Sequence, residues 1–244
     1  PRLKKIVGSI VRHLHDCVRE IEPSFEEWMA AIQFLTRTGQ ISVGGRQEFI
    51  LLSDTLGVSM LVDAINHRLP KGATETTVLG PFFVDRQPVE EQGADIAHGA
   101  PGQPLYVEAQ FSSMDGKPLK GAVVDVWQSD SEGFYDVQRS DLDGPQLRAR
   151  FHTDAQGRLR FWTIMPTAYP IPDDGPVGEM LKATARHPWR PAHLHFMAAA
   201  PGYTTLVTHV FVAGDKYLES DAVFGVKDSL IDRYPEQPAT QAPP

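Results

Sequence analysis

The chain has 244 residues, which is long enough for one large domain or two smaller ones. Hydrophobic residues make up 41% of it and charged residues 22%, which are ordinary values for a globular protein. The formal net charge is −8 and no basic stripe is present, which argues against nucleic-acid binding and against attraction to an anionic membrane surface.

The single cysteine, Cys17, cannot form an intramolecular disulfide, which fits a reducing compartment, and we expect a cytoplasmic protein. No run approaches the roughly 20 apolar residues that a membrane span needs. The basic start at residues 1–5 leads into Arg12, His13 and Asp16, which interrupt any signal-peptide core. The chain begins without a methionine, so we expect the native N-terminus to lie further upstream.

The first predicted helix covers residues 3–20, where apolar side chains recur at intervals of three and four residues. Cys17 lies in this run and is expected to be buried with it. His13 and His15 stand two positions apart on the same helix, about 200° around its axis, so they cannot bind one ion together. We expect these two histidines at the surface or in an interface.

Two further helical segments are predicted. Residues Ser24–Glu27 have the capping-box pattern, which predicts a helix from Phe25 to near Gly39. The next segment begins near Arg46 and is expected to continue or kink at Gly57, because its apolar pattern resumes beyond that glycine.

After Gly72 the chain changes to short alternating runs separated by turn residues, a pattern typical of β-strands. The candidate strands are residues 105–111, 122–128, 147–153, 159–165, 193–198 and 206–212. We therefore predict a mainly β fold with an α-helical N-terminal region, in which the strands form an antiparallel β-sandwich. The predicted units are a helical region at 1–77, the sandwich at 78–234 and a flexible tail at 235–244 that is rich in Pro, Gln and Ala.

Two tyrosines followed by a histidine pair are the most informative feature. Tyr135 and Tyr169 lie beside glycine or proline, and His193 and His195 are separated by one residue in a predicted strand. Alternate side chains of a strand share one face, so both imidazoles point the same way. Two imidazoles and two phenolates would form a hard, partly anionic site suited to high-valent iron, with room for an exchangeable ligand.

These residues and their flanks resemble the intradiol ring-cleaving dioxygenases, which use non-haem ferric iron. The resemblance covers residues 47–231 and is carried by 132–136, 166–170 and 190–196, in that order. It is strongest with the hydroxyquinol-cleaving branch of the family, to which residues 217–227 are also similar. The resemblance implies that Fe(III) is bound by Tyr135, Tyr169, His193 and His195.

The resemblance also implies roles for residues around the iron. Tyr169 is expected to take a proton from the substrate as well as to bind the metal. Arg190 would be a cation beside the substrate, although it could instead form a salt bridge with a carboxylate such as Asp173 or Asp174. His209, where catechol-cleaving relatives often have glutamine, either supports the site from behind the ligands or is a plain core histidine.

A substrate pocket follows from the same resemblance. Leu51 and Asp54 are three residues apart and so share one face of a predicted helix. Asp54 would accept a hydrogen bond from the additional hydroxyl of a triol, and it would lose this partner if catechol were bound. The other implied pocket residues are Val78, Leu79, Gly80, Pro81, Phe82, Ile171, Pro172, Arg190 and Val223. Residues 173–189 lack a clear period and are expected to form a loop in the cleft wall.

The implied reaction is intradiol cleavage of hydroxyquinol by O2, giving 3-hydroxy-cis,cis-muconate, which tautomerises to maleylacetate. Family members form homodimers through the N-terminal helices, often around phospholipid, so the same assembly is implied here. One alternative is cleavage of catechol or a chlorocatechol by the same site. Another is a non-catalytic metal-binding β-sandwich carrier with structural zinc, although tyrosine is an unusual zinc ligand.

Overall fold

The computed structural model describes residues 1–238, so most of the tail predicted at 235–244 lies outside the described residues. Four helices precede the first strand: α1 (Arg2–Ile21), α2 (Phe25–Ile41), α3 (Glu48–Thr55) and α4 (Val58–Asn66). The predicted helical N-terminal region is therefore confirmed. Among the helices of residues 1–238, none is long and apolar enough to cross a membrane.

Helix α1 differs from the prediction in its surroundings. Within the described residues it contributes no buried side chain, and its apolar positions are exposed. Cys17 is likewise exposed, so the prediction of a buried cysteine is wrong. The helical period was read correctly, but an apolar stripe does not reveal whether the surface that covers it belongs to the same chain.

The ends of α2 and α3 follow from local interactions. The side chain of Ser24 accepts from the backbone N–H of Glu27, and Glu27 accepts from the N–H of Ser24, which completes the predicted capping box. Helix α2 continues two residues past Gly39, because one glycine inside a helix costs only about 1 kcal/mol. Gly57 has φ of 72° and separates α3 from α4, as the predicted kink requires.

The described residues contain nine strands, of which seven form the two sheets of the sandwich and the other two pair separately. The nine strands are β1 (Pro104–Gln110), β2 (Val123–Gln128), β3 (Arg148–His152), β4 (Arg158–Ile164), β5 (Tyr169–Pro170), β6 (Trp189–Arg190), β7 (His193–Ala199), β8 (Leu206–Val212) and β9 (Ile231–Asp232). One sheet has the order β3-β2-β7-β8-β9, and β1 pairs with β4 in a second sheet. All these pairs are antiparallel except β8–β9, which is parallel. The predicted sandwich is confirmed, with this one parallel pair as an addition.

The core lies between these two sheets. Its buried members come from both sheets and from the segment before β1; they are Ile96, Leu105, Val107, Val124, Val126, Ala149, Phe151, Leu159, Phe161, Leu194 and Phe196. Strand β7 lies in the middle of the five-stranded sheet, so His195 is paired with Trp127 of β2 and with His209 of β8, whereas His193 is paired with Phe211 of β8.

Residues 173–189 do not form the irregular loop that was predicted. They contain α5 (Pro176–Ala183), with Pro176 at the start, where a helix tolerates proline. Val177 and Leu181 are four residues apart and buried, but a helix of two turns repeats its apolar face only once. This single repeat explains why the pattern was too short to recognise.

Candidate active site

Four side chains from three parts of the sandwich meet at one end of the core. Tyr135 follows β2, Tyr169 lies in β5, and His193 and His195 lie on β7. The hydroxyl of Tyr135 is 2.9 Å from Nε2 of His195 and 3.4 Å from the hydroxyl of Tyr169. The Nε2 atoms of the two histidines are 3.1 Å apart. The structure therefore brings together the four predicted donor atoms.

The histidine environments fit a bound metal ion. Nδ1 of His193 donates to the carbonyl of Pro191 at 2.7 Å, which leaves the lone pair on Nε2 free to bind a metal. Burial, with the charge of Arg190, lowers the pKa of His193 to about 3, so the ring is neutral at pH 7. Burial and the neighbouring His209 and His193 lower the pKa of His195 well below its ordinary value. Neutral imidazoles are the form that metals bind.

Tyr135 needs a cation if it is to ionise. Its side chain is fully buried, and burial together with Tyr169 raises the pKa of Tyr135 well above the ordinary value. A metal ion of high charge reverses this effect, because it supplies the nearest positive charge to the phenolate. The chemistry of the four donors therefore fits a metal ion.

Aromatic rings hold two of the four donors in place. The ring of Trp127 stacks on His195 with centroids 4.6 Å apart and planes at 15°. The ring of Phe82 stacks on Tyr135 at 4.4 Å and 20°. Beside Tyr135, Asp136 forms a buried ion pair with Arg148, whose Nη1 also donates to the carbonyl of Phe82 at 3.0 Å. These contacts restrict the rotamers of the donors.

Arg190 lies directly beside the donor set. Its Nη1 is 3.3 Å from the hydroxyl of Tyr169 and 3.4 Å from Nε2 of His193. Its Nε donates to Asp221 at 3.1 Å, and both side chains are buried. Burial lowers the pKa of Arg190, but the charges of Asp221 and the tyrosines outweigh this effect, so the net pKa is raised. The guanidinium is a permanent charge at the site.

The alternative ion pairs considered for Arg190 are not the ones observed. Asp174 pairs with Arg46 at 2.9 Å, and Asp173 is exposed, while Asp221 holds Arg190. Asp221 lies within the 217–227 run but carries no motif of its own. Asp221 and Arg190 of β6 are 31 residues apart in the sequence, and the fold brings them together.

His209 lies on β8 directly opposite His195. Its ring is stacked on His193 with centroids 4.8 Å apart, and its Nδ1 is 3.5 Å from Nη2 of Arg190. Ring nitrogens of the three histidines lie within 4.8 Å of one another, so together they form a group that can hold a metal ion. Nε2 of His209 has no hydrogen-bond partner among the described residues.

Residues 77–82, which precede β1, lie against His195. The N–H of Thr77 donates to the carbonyl of Val207 on β8 at 2.9 Å, which attaches the start of this segment to the strand. A Cβ at Gly80 would lie 3.4 Å from Cε1 of His195, so the backbone approaches the ring closely. Of the predicted pocket residues here, Val78 and Phe82 are half-buried, whereas Leu79 and Pro81 are exposed.

A second set of predicted pocket residues forms an apolar cluster. Ile171 and Val223 are buried with Leu181 and Ala222, and Leu51 of α3 packs against them. Pro172 was predicted in the same wall, but its side chain is exposed.

Asp54 is half-buried on α3, on the same face as Leu51. Burial raises the pKa of Asp54, and this outweighs the lowering by a hydrogen bond from Ser59 and by the charge of Arg190. The carboxylate of Asp54 is therefore partly shielded from solvent, and the charge of Arg190 acts on it.

Several residues that build the site were not predicted. Trp127, Arg148 and Asp136 position the donors, and Asp221 positions Arg190. One signal was available, since Asp136 directly follows Tyr135 in the sequence. Their partners are distant in the chain, so spacing alone cannot reveal them.

Comparison with known proteins gives the same family for both halves of the chain. A family model described as "Dioxygenase" matches residues 78–242, and one described as "Catechol dioxygenase N terminus" matches residues 1–74. The 6-chlorohydroxyquinol 1,2-dioxygenase of Cupriavidus pinatubonensis is 56% identical over 236 residues, which are 97% of this chain and 86% of the relative. The hydroxyquinol 1,2-dioxygenase of a Rhizobium species is 55% identical over 95% of this chain and 79% of its own length.

A solved structure agrees with these sequences. The hydroxyquinol 1,2-dioxygenase from Pseudomonas putida DLL-E4 superimposes with a TM-score of 0.95 at 55% identity, covering 98% of this chain and 84% of that chain. The sandwich, the helical N-terminal region and the buried donor cluster thus occur together with family matches over nearly the whole sequence. The chain belongs to the intradiol dioxygenase family.

Proposed function

We propose that this protein cleaves the ring of hydroxyquinol between its two adjacent hydroxyl-bearing carbons, using O2. The product is 3-hydroxy-cis,cis-muconate, which tautomerises to maleylacetate. The observation that carries this proposal is the convergence of Tyr135, Tyr169, His193 and His195, with Arg190 at 3.3 Å from the hydroxyl of Tyr169. Relatives that are more than half identical are named for cleavage of hydroxyquinols, which supports a triol as the substrate.

We assign Tyr135, Tyr169, His193 and His195 as the ligands of Fe(III). When bound, the ferric ion acts as a Lewis acid and a template that orients the two hydroxyls of the substrate. We place His209 outside the ligand set, because its Nδ1 faces the guanidinium of Arg190. In that position its ring buttresses His193 and helps to orient Arg190.

Tyr169 and Arg190 handle the charge and the proton of the substrate. The phenolate oxygen of Tyr169 would accept one proton from a substrate hydroxyl and become a neutral phenol. Nη1 of Arg190, at 3.3 Å from that oxygen, stabilises the negative charge that develops on the ring. Burial of Arg190 makes this interaction stronger than it would be in water.

Asp54 and the apolar cluster select the substrate. Leu51, Ile171 and Val223 pack against the ring, together with the turn at residues 78–82. The carboxylate of Asp54 accepts a hydrogen bond from the third hydroxyl. Catechol would leave the half-buried carboxylate without this partner, which costs about 1–3 kcal/mol.

The helical region has a separate role in assembly. We propose that residues 1–77 form a linking and dimerisation unit and that residues 78–234 form the catalytic unit. The exposed apolar side chains of α1 support a homodimer in which a second copy of the chain covers this face, with phospholipid in the interface.

Oxygen uptake by the iron-loaded protein tests the proposed reaction. Hydroxyquinol and catechol are compared side by side, with autoxidation subtracted. Uptake that is strong with hydroxyquinol and at least about tenfold weaker with catechol is expected from the loss of one buried hydrogen bond. Preference for catechol or a chlorocatechol would contradict the triol assignment. A colourless protein that binds zinc and consumes no oxygen would favour the carrier alternative.

A further inference from the structure

Helix α3 carries both Leu51 and Asp54 but has only eight residues. A helix this short is not stable by itself in water, so its position depends on tertiary contacts. Both of its ends are attached to residues 174–186, the stretch around α5. The position of Asp54 therefore depends on that stretch.

The N-terminal end of α3 is attached through a buried carboxylate. Glu48 is 1% exposed, and its Oε1 accepts from the N–H of Val177 on α5 at 3.0 Å. Glu48 also pairs with Arg46 at 2.9 Å, and Arg46 in turn pairs with Asp174 at 2.9 Å. Polar contacts thus join this end of α3 to the start of α5.

The C-terminal end of α3 is attached through Arg186. Nη1 of Arg186 donates to the carbonyl of Thr55 at 2.6 Å, and Nη2 donates to the carbonyl of Ala222 at 3.1 Å. Thr55 is the last residue of α3, where carbonyls lack partners within the helix and a cation is favourable. The guanidinium also lies over the ring of Phe224, 4.9 Å from its centroid.

The two carbonyls belong to two segments that contribute proposed pocket residues. Thr55 directly follows Asp54, and Ala222 directly precedes Val223. One guanidinium therefore joins the helix that carries the carboxylate proposed to select the triol to the segment that carries Val223, and it fixes their relative position. Phe224 adds to this connection, because its ring lies 3.4 Å from the position of a Cβ at Gly57.

We propose that Arg186 is a positioning residue for triol selectivity and acts through Asp54. The proposal rests on the proposed function, in which Asp54 bonds the third hydroxyl. Arg186 donates to backbone carbonyls rather than to the donor set, so its loss should move the specificity carboxylate and leave the reacting centre in place.

The first test replaces Arg186 by methionine, which keeps an apolar stem but removes the donors. The ratio of kcat/KM for hydroxyquinol to that for catechol should fall by roughly fivefold to tenfold, the scale of one net hydrogen bond. The fall should come mainly from a higher KM for hydroxyquinol, with kcat for catechol nearly unchanged. A general loss of stability would lower kcat/KM for both substrates alike and leave the ratio unchanged.

A matched control is Arg37→Met. Arg37 forms an exposed ion pair with Glu179 at 2.8 Å, which joins α2 to α5 without touching α3. The ratio should stay at the wild-type value in this variant. Arg186→Lys, which cannot reproduce the planar fork, serves if the methionine variant fails to fold. It should show a smaller fall, and a wild-type ratio in Arg186→Lys would overturn the proposal.

A double-mutant cycle decides whether Arg186 acts through Asp54. In an Asp54→Ala background, Arg186→Met should produce no further change in the ratio. The proposal is overturned if the two effects add, or if Arg186→Met leaves the ratio of the wild type unchanged. It is also overturned if Asp54→Ala alone does not change the ratio. Failure of the wild type to cleave either substrate would instead contradict the proposed function.

Discussion

At the residue scale, burial favours the uncharged forms of Tyr135, His193 and His195. Tyr135 is fully buried, and its hydroxyl lies 2.9 Å from Nε2 of His195 and 3.4 Å from the hydroxyl of Tyr169. Burial raises the pKa of Tyr135, so ionisation depends on a nearby cation. A metal ion bound by all four donors, as proposed, would supply this cation.

Tyr135→Phe should therefore remove a ligand without changing the packing of the ring. We expect turnover to fall by at least about a hundredfold and the phenolate-to-iron absorption band to weaken strongly. Visible absorption and oxygen uptake of the iron-loaded variant check this. Tyr106→Phe is the matched control, because Tyr106 lies on β1 beside Trp162. Retained activity in Tyr135→Phe would show that Tyr135 is not a ligand.

Asp54 should carry a cost in stability for its proposed role in binding. Burial raises its pKa, so the folded state binds the proton more tightly than the unfolded state. The associated stability is present below pH 3.8, the ordinary value, and is lost as the pH rises through the raised value. Asp54→Asn should therefore have a higher free energy of unfolding than the wild type at pH 7.

Chemical denaturation at pH 7 and at pH 4 measures this difference. The advantage of the asparagine variant should shrink at the lower pH, because a larger fraction of the wild-type carboxyl is then protonated. Equal stability of the two proteins at pH 7, or a less stable variant, would show that the carboxylate is well solvated.

At the element scale, six of the nine strands could be predicted to within two residues, because their apolar side chains alternate. The two-residue strands β5, β6 and β9 could not, although the pairing of β5 with β6 sets Tyr169 opposite Arg190. Helix α5 was missed for a similar reason, since Val177 and Leu181 give only one helical repeat. Short elements are stabilised by distant partners, which a local pattern does not contain.

Leu181 shows how α5 supports the pocket. It is 1% exposed and packs with Ile171, Ala222 and Val223. Leu181→Ala should lower the free energy of unfolding by about 2–4 kcal/mol through the cavity it leaves. Denaturant unfolding checks this, with exposed Lys182→Ala as the control, which should change stability by less than about 0.5 kcal/mol. A loss below about 1 kcal/mol would mean that α5 does not brace this wall.

At the scale of the whole molecule, the site could be predicted in its chemistry but not in its supports. Tyr135, Tyr169, His193 and His195 have recognisable flanks, and the structure brings their donor atoms together. Trp127 and Asp221 have none, because their roles come from a sheet register and a buried ion pair. The exposed apolar face of α1 belongs to the same scale, because no described residue of a single copy buries it.

Ile10→Glu tests whether a second copy covers α1. Ile10 is 51% exposed and lies in the middle of the apolar stripe, where a buried charge would oppose association. We expect a dimeric wild type and a mostly monomeric variant in sedimentation velocity experiments. Lys5→Glu, on the opposite face of α1, should remain dimeric. A wild type that is monomeric at all concentrations would contradict the proposed dimer.

The most direct test of the central claim is the identity of the product formed from hydroxyquinol under ¹⁸O2. Intradiol cleavage predicts 3-hydroxy-cis,cis-muconate or maleylacetate with both labelled atoms in its carboxylates. Mass spectrometry of the product, trapped within seconds, reads this directly. A ring-opened aldehyde, an unlabelled quinone or unchanged hydroxyquinol would contradict the proposed reaction.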